Sequence, residues 1–268
     1  MYLDFWGLKE KPFENTPDPK FIYLSPQHEE GLSRLLYVIR EEKGCGMLTG
    51  LFGCGKTLLS RALLMELEKD IYKVAFITNP RVDDIDLLKL IIYHLGSPEL
   101  PTKKSDILIV LEKFITNNWR DGKKTVIIID EGHVIEDLNV FEEIRLLLNF
   151  QLEDKFLISV LLLGQPELKE KVDSNKQFAQ RIAMRYNLSS LNKKEVEEYI
   201  YHRLKIAGSE EKIFLPDALE LIFERSGGIP RRINQICDMC LMVGLDKNLN
   251  RIDRSIVQEA IDSLGGSA

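Results

Sequence analysis

The sequence predicts a doubly wound α/β domain with a parallel sheet, followed by a small all-helical domain. Short apolar runs alternate with helical patterns as far as about Leu188, which is typical of a parallel sheet covered by helices. A glycine-rich turn joins the first of these runs to a helix. From Asn192 onward the chain has only helical patterns. We therefore expect an extended segment over residues 1–24, the α/β domain over 25–191 and the helical domain over 192–268.

The composition is that of an ordinary soluble globular protein. Its 268 residues suffice for one large or two modest domains, and 44% of them are hydrophobic and 29% charged. The net charge of −6 gives no general attraction to nucleic acid or to an anionic membrane. No apolar run approaches the roughly 20 residues of a membrane span, and the amino terminus lacks the pattern of a signal peptide. We therefore expect a cytoplasmic protein with no transmembrane segment in this chain.

The amino-terminal segment is expected to be extended and to pack on the core through aromatic side chains. Prolines at three positions interrupt any helix there: Pro12, Pro17 and Pro19. Ser25-Pro26 then provides a cap and a first residue for a helix that continues to Ile39. A short apolar strand around residues 47–48 follows this helix.

Apolar periodicity predicts the remaining elements of the chain. Further strands are expected at 74–77, 125–129 and 158–163. The β-branched run at 125–129 suits a strand that is buried on both faces of a parallel sheet. Helices of the α/β domain are expected from near Lys56 to about residue 69, and at 85–95, 108–115 and 141–150. Those of the helical domain are expected at 195–207, 216–226, 231–245 and 253–264.

The glycine-rich turn has the spacing of a phosphate-binding loop, Gly50-Leu51-Phe52-Gly53-Cys54-Gly55-Lys56-Thr57. Glycines let the chain turn tightly, so that backbone N–H groups can converge on phosphate oxygens. Lys56 is expected to place its ammonium on the β and γ phosphates of ATP, and the Thr57 hydroxyl to ligate Mg²⁺. The predicted nucleotide-binding residues of this stretch are Gly50, Gly53, Cys54, Gly55, Lys56, Thr57 and Leu58.

Two acidic residues, Asp130 and Glu131, directly follow the apolar run at 125–129. The carboxyl end of such a strand is where an open α/β sheet places its ligands. We expect Asp130 to hold Mg²⁺, directly or through water. Glu131 is expected to polarise the water that attacks the γ phosphorus.

A histidine and a cysteine pair receive structural interpretations from the sequence. His133, which follows the acidic pair, is interpreted as a solvated loop histidine, with coupling of the acids to a partner as the alternative. Cys237 and Cys240 form a single C-x-x-C pair inside an apolar helical pattern, so we expect them to face the core.

Several further motifs accompany the phosphate loop in a fixed order. These are Phe5-Trp6-Gly7-Leu8-Lys9-Glu10-Lys11-Pro12-Phe13, Gly164-Gln165-Pro166-Glu167-Leu168, Gln180-Arg181-Ile182 and Gly228-Ile229-Pro230-Arg231-Arg232-Ile233-Asn234. Together they resemble AAA+ ATPases, and within that superfamily the ExeA/GspA-type ATPases of bacterial secretion systems. The resemblance runs from about residue 2 to residue 264.

The resemblance implies the P-loop NTPase (AAA+) fold and roles for three further residues. Gln165 matches the sensor-1 residue, which orients the attacking water or contacts the γ phosphate. Arg181 matches the arginine finger, which is presented to the nucleotide of a neighbouring subunit; Arg185 is the alternative. Arg231 matches sensor 2, which ties the helical lid to the γ phosphate.

The expected function is that of a Mg²⁺-dependent ATPase. It would form a homo-oligomeric ring or filament and remodel or position a partner protein of a secretion-type assembly, at the inner face of the membrane. Two alternatives stay open: an ATP-dependent DNA-binding adaptor of the transposition-target-selection type, and a slow nucleotide-gated scaffold. The candidate DNA contacts are Lys103-Lys104, Arg120, Lys123-Lys124 and Lys193-Lys194.

Overall fold

The computed structural model describes residues 2–16 and 18–265. The helix-breaking role expected of Pro17 lies outside the described residues, as do Met1 and residues 266–268 at the two ends of the predicted domains. The strands are β1 (Cys45–Gly50), β2 (Tyr72–Ile77), β3 (Lys124–Ile129), β4 (Ile158–Gly164) and β5 (Ile182–Leu188). The helices up to β5 are α1 (Pro26–Arg40), α2 (Lys56–Glu66), α3 (Asp84–His94), α4 (Lys104–Arg120), α5 (Leu138–Leu147), α6 (Glu167–Ser174) and α7 (Lys176–Ala179). Those after β5 are α8 (Lys193–Ile206), α9 (Pro216–Ser226), α10 (Pro230–Asp246) and α11 (Arg254–Ser263).

The five strands form one parallel sheet in the order β2-β3-β4-β1-β5. The central strands are apolar runs, and every residue of β1 and β4 is buried. Helices cover both faces of the sheet. Met47 belongs to an apolar cluster with α3, α4 and α5. Its neighbour Gly46 faces the other way, where an added Cβ would lie 3.1 Å from Val38 in α1. The prediction of a doubly wound parallel α/β fold is thus confirmed.

Strand β5 is absent from the predicted strands. Its sequence, Ile-Ala-Met-Arg-Tyr-Asn-Leu, has no continuous apolar run, because it lies at the edge of the sheet and is mostly half-exposed. An edge strand of this kind pairs on one side only, so its side chains need not be apolar. The buried-strand pattern that identified β3 and β4 could not detect it.

The chain divides into two compact units. The sheet unit comprises residues 28–51 and 59–188, and the helical unit comprises residues up to 27, residues 52–58 and residues from 189 on. The segment 52–58 contains most of the glycine-rich loop. The domain boundaries given above stay predictions.

The helical unit has its own core, to which the amino-terminal segment contributes aromatic side chains. The Trp6 indole donates a hydrogen bond to the Leu241 carbonyl at 3.0 Å, and Gly244 leaves the space for its ring. Buried Arg203 donates to the carbonyl oxygens of Pro12 and Glu14. These contacts hold the segment among α8 and α10.

The helices of the carboxyl-terminal region agree with two predictions from the sequence, a cap at the start of α8 and a buried cysteine pair in α10. Helix α8 begins with a capping box, in which the Asn192 side chain accepts from the Glu195 N–H and the Glu195 side chain from the Asn192 N–H. Cys237 and Cys240 of α10 are fully buried, which confirms that they face the core.

Within the described part of the chain, none of the helices has both the length and the apolar character needed to cross a bilayer.

Candidate functional site

The glycine-rich loop lies between the end of β1 at Gly50 and the start of α2 at Lys56. Two of its glycines have backbone angles that other residues rarely adopt: φ is +81° at Gly53 and +102° at Gly55. Such turns direct successive backbone N–H groups into one concavity. The first turn of α2 adds the positive end of the helix dipole. The loop geometry therefore fits a bound polyphosphate.

Gly53 also lies against the start of α10 within the helical unit. A Cβ on Gly53 would lie 2.8 Å from Arg231 Cβ, so no larger residue fits without displacement. The Arg231 N–H donates to the Gly53 carbonyl at 3.3 Å. The Arg231 guanidinium stacks on the Phe52 ring, with its central carbon 4.7 Å from the ring centroid. The residue that the resemblance assigns to sensor 2 thus contacts the phosphate loop.

The side chains that follow the loop differ in burial. Lys56 is only 5% exposed, whereas Thr57 and Leu58 are half-buried in the first turn of α2. Cys54 is buried, and burial raises the pKa of its thiol above its ordinary value, while Lys56 opposes the shift. A buried ammonium beside glycine amides is an arrangement that a phosphate group can pair with.

The two acidic residues stand at the carboxyl edge of the sheet. Asp130 directly follows β3 and is 1% exposed, and its Oδ1 accepts a 2.8 Å hydrogen bond from the Glu131 N–H. Glu131 has a left-handed backbone, with φ at +54°, which is costly for a residue with a Cβ and is seen at functional sites. Since β1, β3 and β4 are parallel, Gly50, Asp130 and Gln165 leave the sheet at the same edge. The carboxylate of Asp130 supplies oxygen donors, the ligands that Mg²⁺ prefers.

His133 is not a solvated loop residue, so the sequence interpretation was wrong on this point. Its side chain is 15% exposed, and its Nε2 lies 2.8 Å from the Gln165 Nε2. Its Nδ1 lies 3.4 Å from Glu131 Oε2. Gly164 allows this proximity, because a Cβ there would lie 3.1 Å from the His133 backbone nitrogen. The closeness of two consecutive strand ends buries this ring, and a single-sequence pattern does not reveal such tertiary proximity.

The two candidate finger arginines have different surroundings in the sheet unit. Arg185 forms a 2.6 Å ion pair with Asp173. Arg181 donates a longer hydrogen bond, of 3.5 Å, to the Asn149 side chain. Arg181 precedes β5, whose first residue pairs with Cys45 at the start of β1, so it lies at the amino edge of the sheet.

The predicted site residues therefore fall into three groups. The sheet unit brings Asp130, Glu131 and Gln165 together at its carboxyl edge. In the helical unit the loop residues from Gly53 onward accompany Arg231. Arg181 stands apart from the acidic pair, because a strand of six residues separates the two edges by about 20 Å. Sequence reasoning missed the Phe52 ring and the contacts of His133.

The AAA domain family model matches residues 39–172. Over 273 aligned residues, the chain is 37% identical to General secretion pathway protein A of Aeromonas hydrophila. The alignment covers 99% of this chain and 49% of that protein, so the chain spans about half the length of this relative. An HTH-type transcriptional regulator of Methanocaldococcus jannaschii, described as uncharacterized, is 29% identical over 58% of this chain and 39% of its own length.

Solved structures share the fold at low sequence identity. The Aeropyrum pernix ORC2 protein, in ADPNP and ADP complexes, superposes with a TM-score of 0.67 at 17% identity, covering 95% of this chain and 71% of that one. Drosophila ORC bound to DNA gives 0.69 at 17% identity, covering 97% and 65%. The Thermotoga maritima RuvB branch migration motor gives 0.62 at 18% identity, covering 91% and 73%. With the family match and the secretion-protein relative, these findings confirm the AAA+ resemblance: the chain belongs to the AAA domain family and is related to General secretion pathway protein A.

Proposed function

We propose that the protein is a Mg²⁺-dependent ATPase that acts as an oligomer on a partner complex of the secretion type. The observation that carries the proposal is the loop between β1 and α2. Its left-handed glycines and its buried Lys56 form a phosphate cradle. The strand that leads into it ends at the same sheet edge as the strand that carries Asp130 and Glu131.

Each residue has a chemical task in this proposal. The loop amides and the Lys56 ammonium bind the β and γ phosphates, and Thr57 and Asp130 hold the metal ion. Bound Mg²⁺ would neutralise charge that develops on the phosphate oxygens. Glu131 accepts the proton of the attacking water, and Gln165 orients that water. Arg231 senses the γ phosphate from the start of α10.

The position of Arg181 supports an oligomer. It lies at the opposite edge of the sheet from the acidic pair, so it is poorly placed for the site of its own chain. A cation at that edge can complete the site of a neighbouring copy, where it would stabilise charge in the transition state. Contacts that join different surfaces of two copies close into a ring or propagate as a filament. We prefer Arg181 to Arg185, since Arg185 already pairs with Asp173.

The secretion role rests on the relative of that name, and DNA binding is the second candidate. It is favoured by a fold shared with ORC proteins of Aeropyrum pernix and Drosophila that are solved in complex with DNA. However, several lysines considered for DNA are already ion-paired within the chain: Lys104 with Asp84 and Glu143, Lys124 with Glu42, Lys193 with Glu220, and Lys194 with Glu198. These pairs reduce the charge available to a phosphate backbone, so we propose a protein partner rather than DNA. The proposed location is the cytoplasm, at the inner face of the membrane through that partner.

Steady-state phosphate release tests the ATPase itself. Lys56→Ala and Glu131→Gln should each lower turnover by about 100-fold or more, because one removes the phosphate cation and the other the base. Lys73→Ala, at a residue outside the proposed site, is the matched control and should retain wild-type turnover. Full activity in both site variants would refute the assignment.

Mixing experiments test the oligomer. Arg181→Ala and Lys56→Ala proteins are each expected to be inactive, while a mixture should recover part of the turnover, because some interfaces then combine an intact loop with an intact arginine. The absence of any recovery, with ATP-dependent assembly intact in size analysis, would contradict a role for Arg181 in a neighbouring subunit.

The rival functions have their own readouts. In size analysis with added duplex DNA, retention of the DNA at low salt would favour the adaptor. Turnover that is too slow to follow under steady-state conditions would favour the scaffold.

A further inference from the structure

The turn that carries His133 is fixed by contacts to its backbone. It spans Gly132–Val134, directly after the acidic pair. The Lys171 ammonium donates to the carbonyl oxygens of His133 and Ile135, the latter at 2.6 Å. On its other side the turn lies close to Gly164 at the end of β4. The imidazole therefore has a defined position and is not a mobile surface group.

The ring nitrogens of His133 face the two groups that are proposed to act on the attacking water. Nε2 lies 2.8 Å from the Gln165 side-chain nitrogen, and Nδ1 lies 3.4 Å from Glu131 Oε2. The Gln165 backbone N–H also lies 3.4 Å from Nδ1. A neutral imidazole has one donor and one acceptor nitrogen. If the Gln165 amide donates to Nε2, the proton lies on Nδ1, where the carboxylate of Glu131 can accept it. Both side-chain contacts are thus satisfied by the same tautomer, in which Nδ1 is a donor and the 3.4 Å approach of the Gln165 backbone N–H to it is not a hydrogen bond.

Burial strengthens the hydrogen bonds of the His133 ring. The ring is 15% exposed and Glu131 is 35% exposed, so water competes less for the hydrogen bonds than it would on an open surface. One oxygen of the Glu131 carboxylate faces Nδ1, which leaves the other for a water molecule. The ring can therefore orient the Glu131 carboxylate while one of its oxygens stays available to water.

We propose that His133 is a positioning residue that joins Glu131 and Gln165 into one hydrogen-bonded unit. The inference rests on the proposed ATPase function and adds to it a residue that acts through two others. Without the ring, Glu131 and Gln165 would each be free to adopt other rotamers. The chemical step would then slow while the binding of ATP stayed the same, since His133 belongs to neither the phosphate loop nor the proposed metal ligands.

Kinetics of the full chain with Mg²⁺ and ATP test this role. His133→Ala should lower kcat by about tenfold or more, with KM for ATP within about twofold of wild type. His133→Asn, whose amide can replace the Nδ1 donor, should recover part of the loss. His133→Ala combined with Gln165→Ala should lose less than the product of the two single effects. His94→Ala, at an exposed histidine, is the control and should behave as wild type.

Nuclear magnetic resonance of the histidine rings, recorded without nucleotide, tests the inference independently of turnover. The chain has four histidines, and the imidazole ¹⁵N resonances that disappear in His133→Asn identify the ring of interest. These resonances should shift in both Gln165→Leu and Glu131→Gln. Unchanged resonances in both variants would overturn the linkage, as would wild-type kcat in His133→Ala when the wild-type chain hydrolyses ATP. A wild-type chain that hydrolyses no ATP would overturn the proposed function instead, and the catalytic role of His133 with it.

Discussion

The phosphate loop and the turn after β3 are built in different ways. In the loop, and at the glycine corner before α10 (residues 227–229), the shape is set by backbone angles that only glycine adopts easily. In the turn after β3 the shape is set by side-chain contacts, from His133 to Glu131 and Gln165 and from Lys171 to the turn carbonyls. One region therefore depends on the absence of side chains and the other on their pairing.

This difference indicates which substitutions each region will tolerate. Where a glycine permits a close backbone approach, adding one methyl group should be costly, whatever its polarity. Where side chains pair, removing one partner should be costly, because the other stays buried without compensation. The predictions below test this contrast in order of decreasing expected effect.

Gly228→Ala should have the largest effect on stability among the substitutions proposed here. The residue has φ at +72°, and an added Cβ would lie 1.9 Å from the Leu191 carbonyl oxygen. The Leu191 N–H also donates a hydrogen bond to the Gly228 carbonyl at 2.9 Å. The backbone would have to separate, so we expect a loss of more than about 3 kcal/mol in the free energy of unfolding. Urea denaturation monitored by circular dichroism would measure it.

The adjacent glycine is the matched control for that change. Gly227 also has a left-handed backbone, with φ at +60°, but an added Cβ would meet nothing within 4 Å. Gly227→Ala should therefore cost only the conformational term, about 1 kcal/mol. Equal losses in the two variants would show that backbone strain alone, and not the contact with Leu191, explains the glycine at 228.

Lys104→Met tests side-chain pairing in the sheet unit. The ammonium lies 2.6 Å from Glu143, which is 3% exposed, and 2.6 Å from Asp84. Its removal leaves the Glu143 carboxylate buried without its cation, so we expect a loss of about 2 kcal/mol at pH 7. Lys103→Met, at the exposed neighbouring lysine, is the control and should stay close to wild type.

The same pair predicts a pH dependence. The hydrogen bond from Lys104 holds the pKa of Asp84 below its ordinary value. A carboxyl with a lowered pKa stabilises the fold above the pKa of the unfolded chain and loses that contribution as the pH falls through its folded value. The difference in stability between wild type and Lys104→Met should therefore narrow as the pH drops below about 4. A difference that stays constant from pH 7 to pH 3 would contradict this account of the Asp84 pKa.

The same contrast explains what the sequence could predict. The loop, β3, β4 and the helices of the carboxyl-terminal region follow from glycine spacing and apolar period, which are local properties. The placement of His133 depends on β3 and β4 being neighbours in the sheet, and the single-sided pairing of β5 depends on strand order. Neither is encoded in a short window of sequence. The stacking of Arg231 on Phe52 likewise joins residues nearly 180 positions apart.

Phe52→Leu should have the smallest effect, and it tests whether the glycine region also uses a side chain. Phe52 is 56% exposed, and an exposed cation–π contact contributes about 0.5–1 kcal/mol. If Arg231 must leave this ring to reach the γ phosphate, the ring competes with ATP but not with ADP. The variant should then bind ATP about two- to fivefold more tightly relative to ADP, whereas Phe52→Tyr, which keeps a ring, should match wild type. An unchanged ratio of ATP to ADP affinity, measured by calorimetry, would mean that Arg231 keeps its position when nucleotide binds, and that the backbone contact with Gly53 alone sets the start of α10.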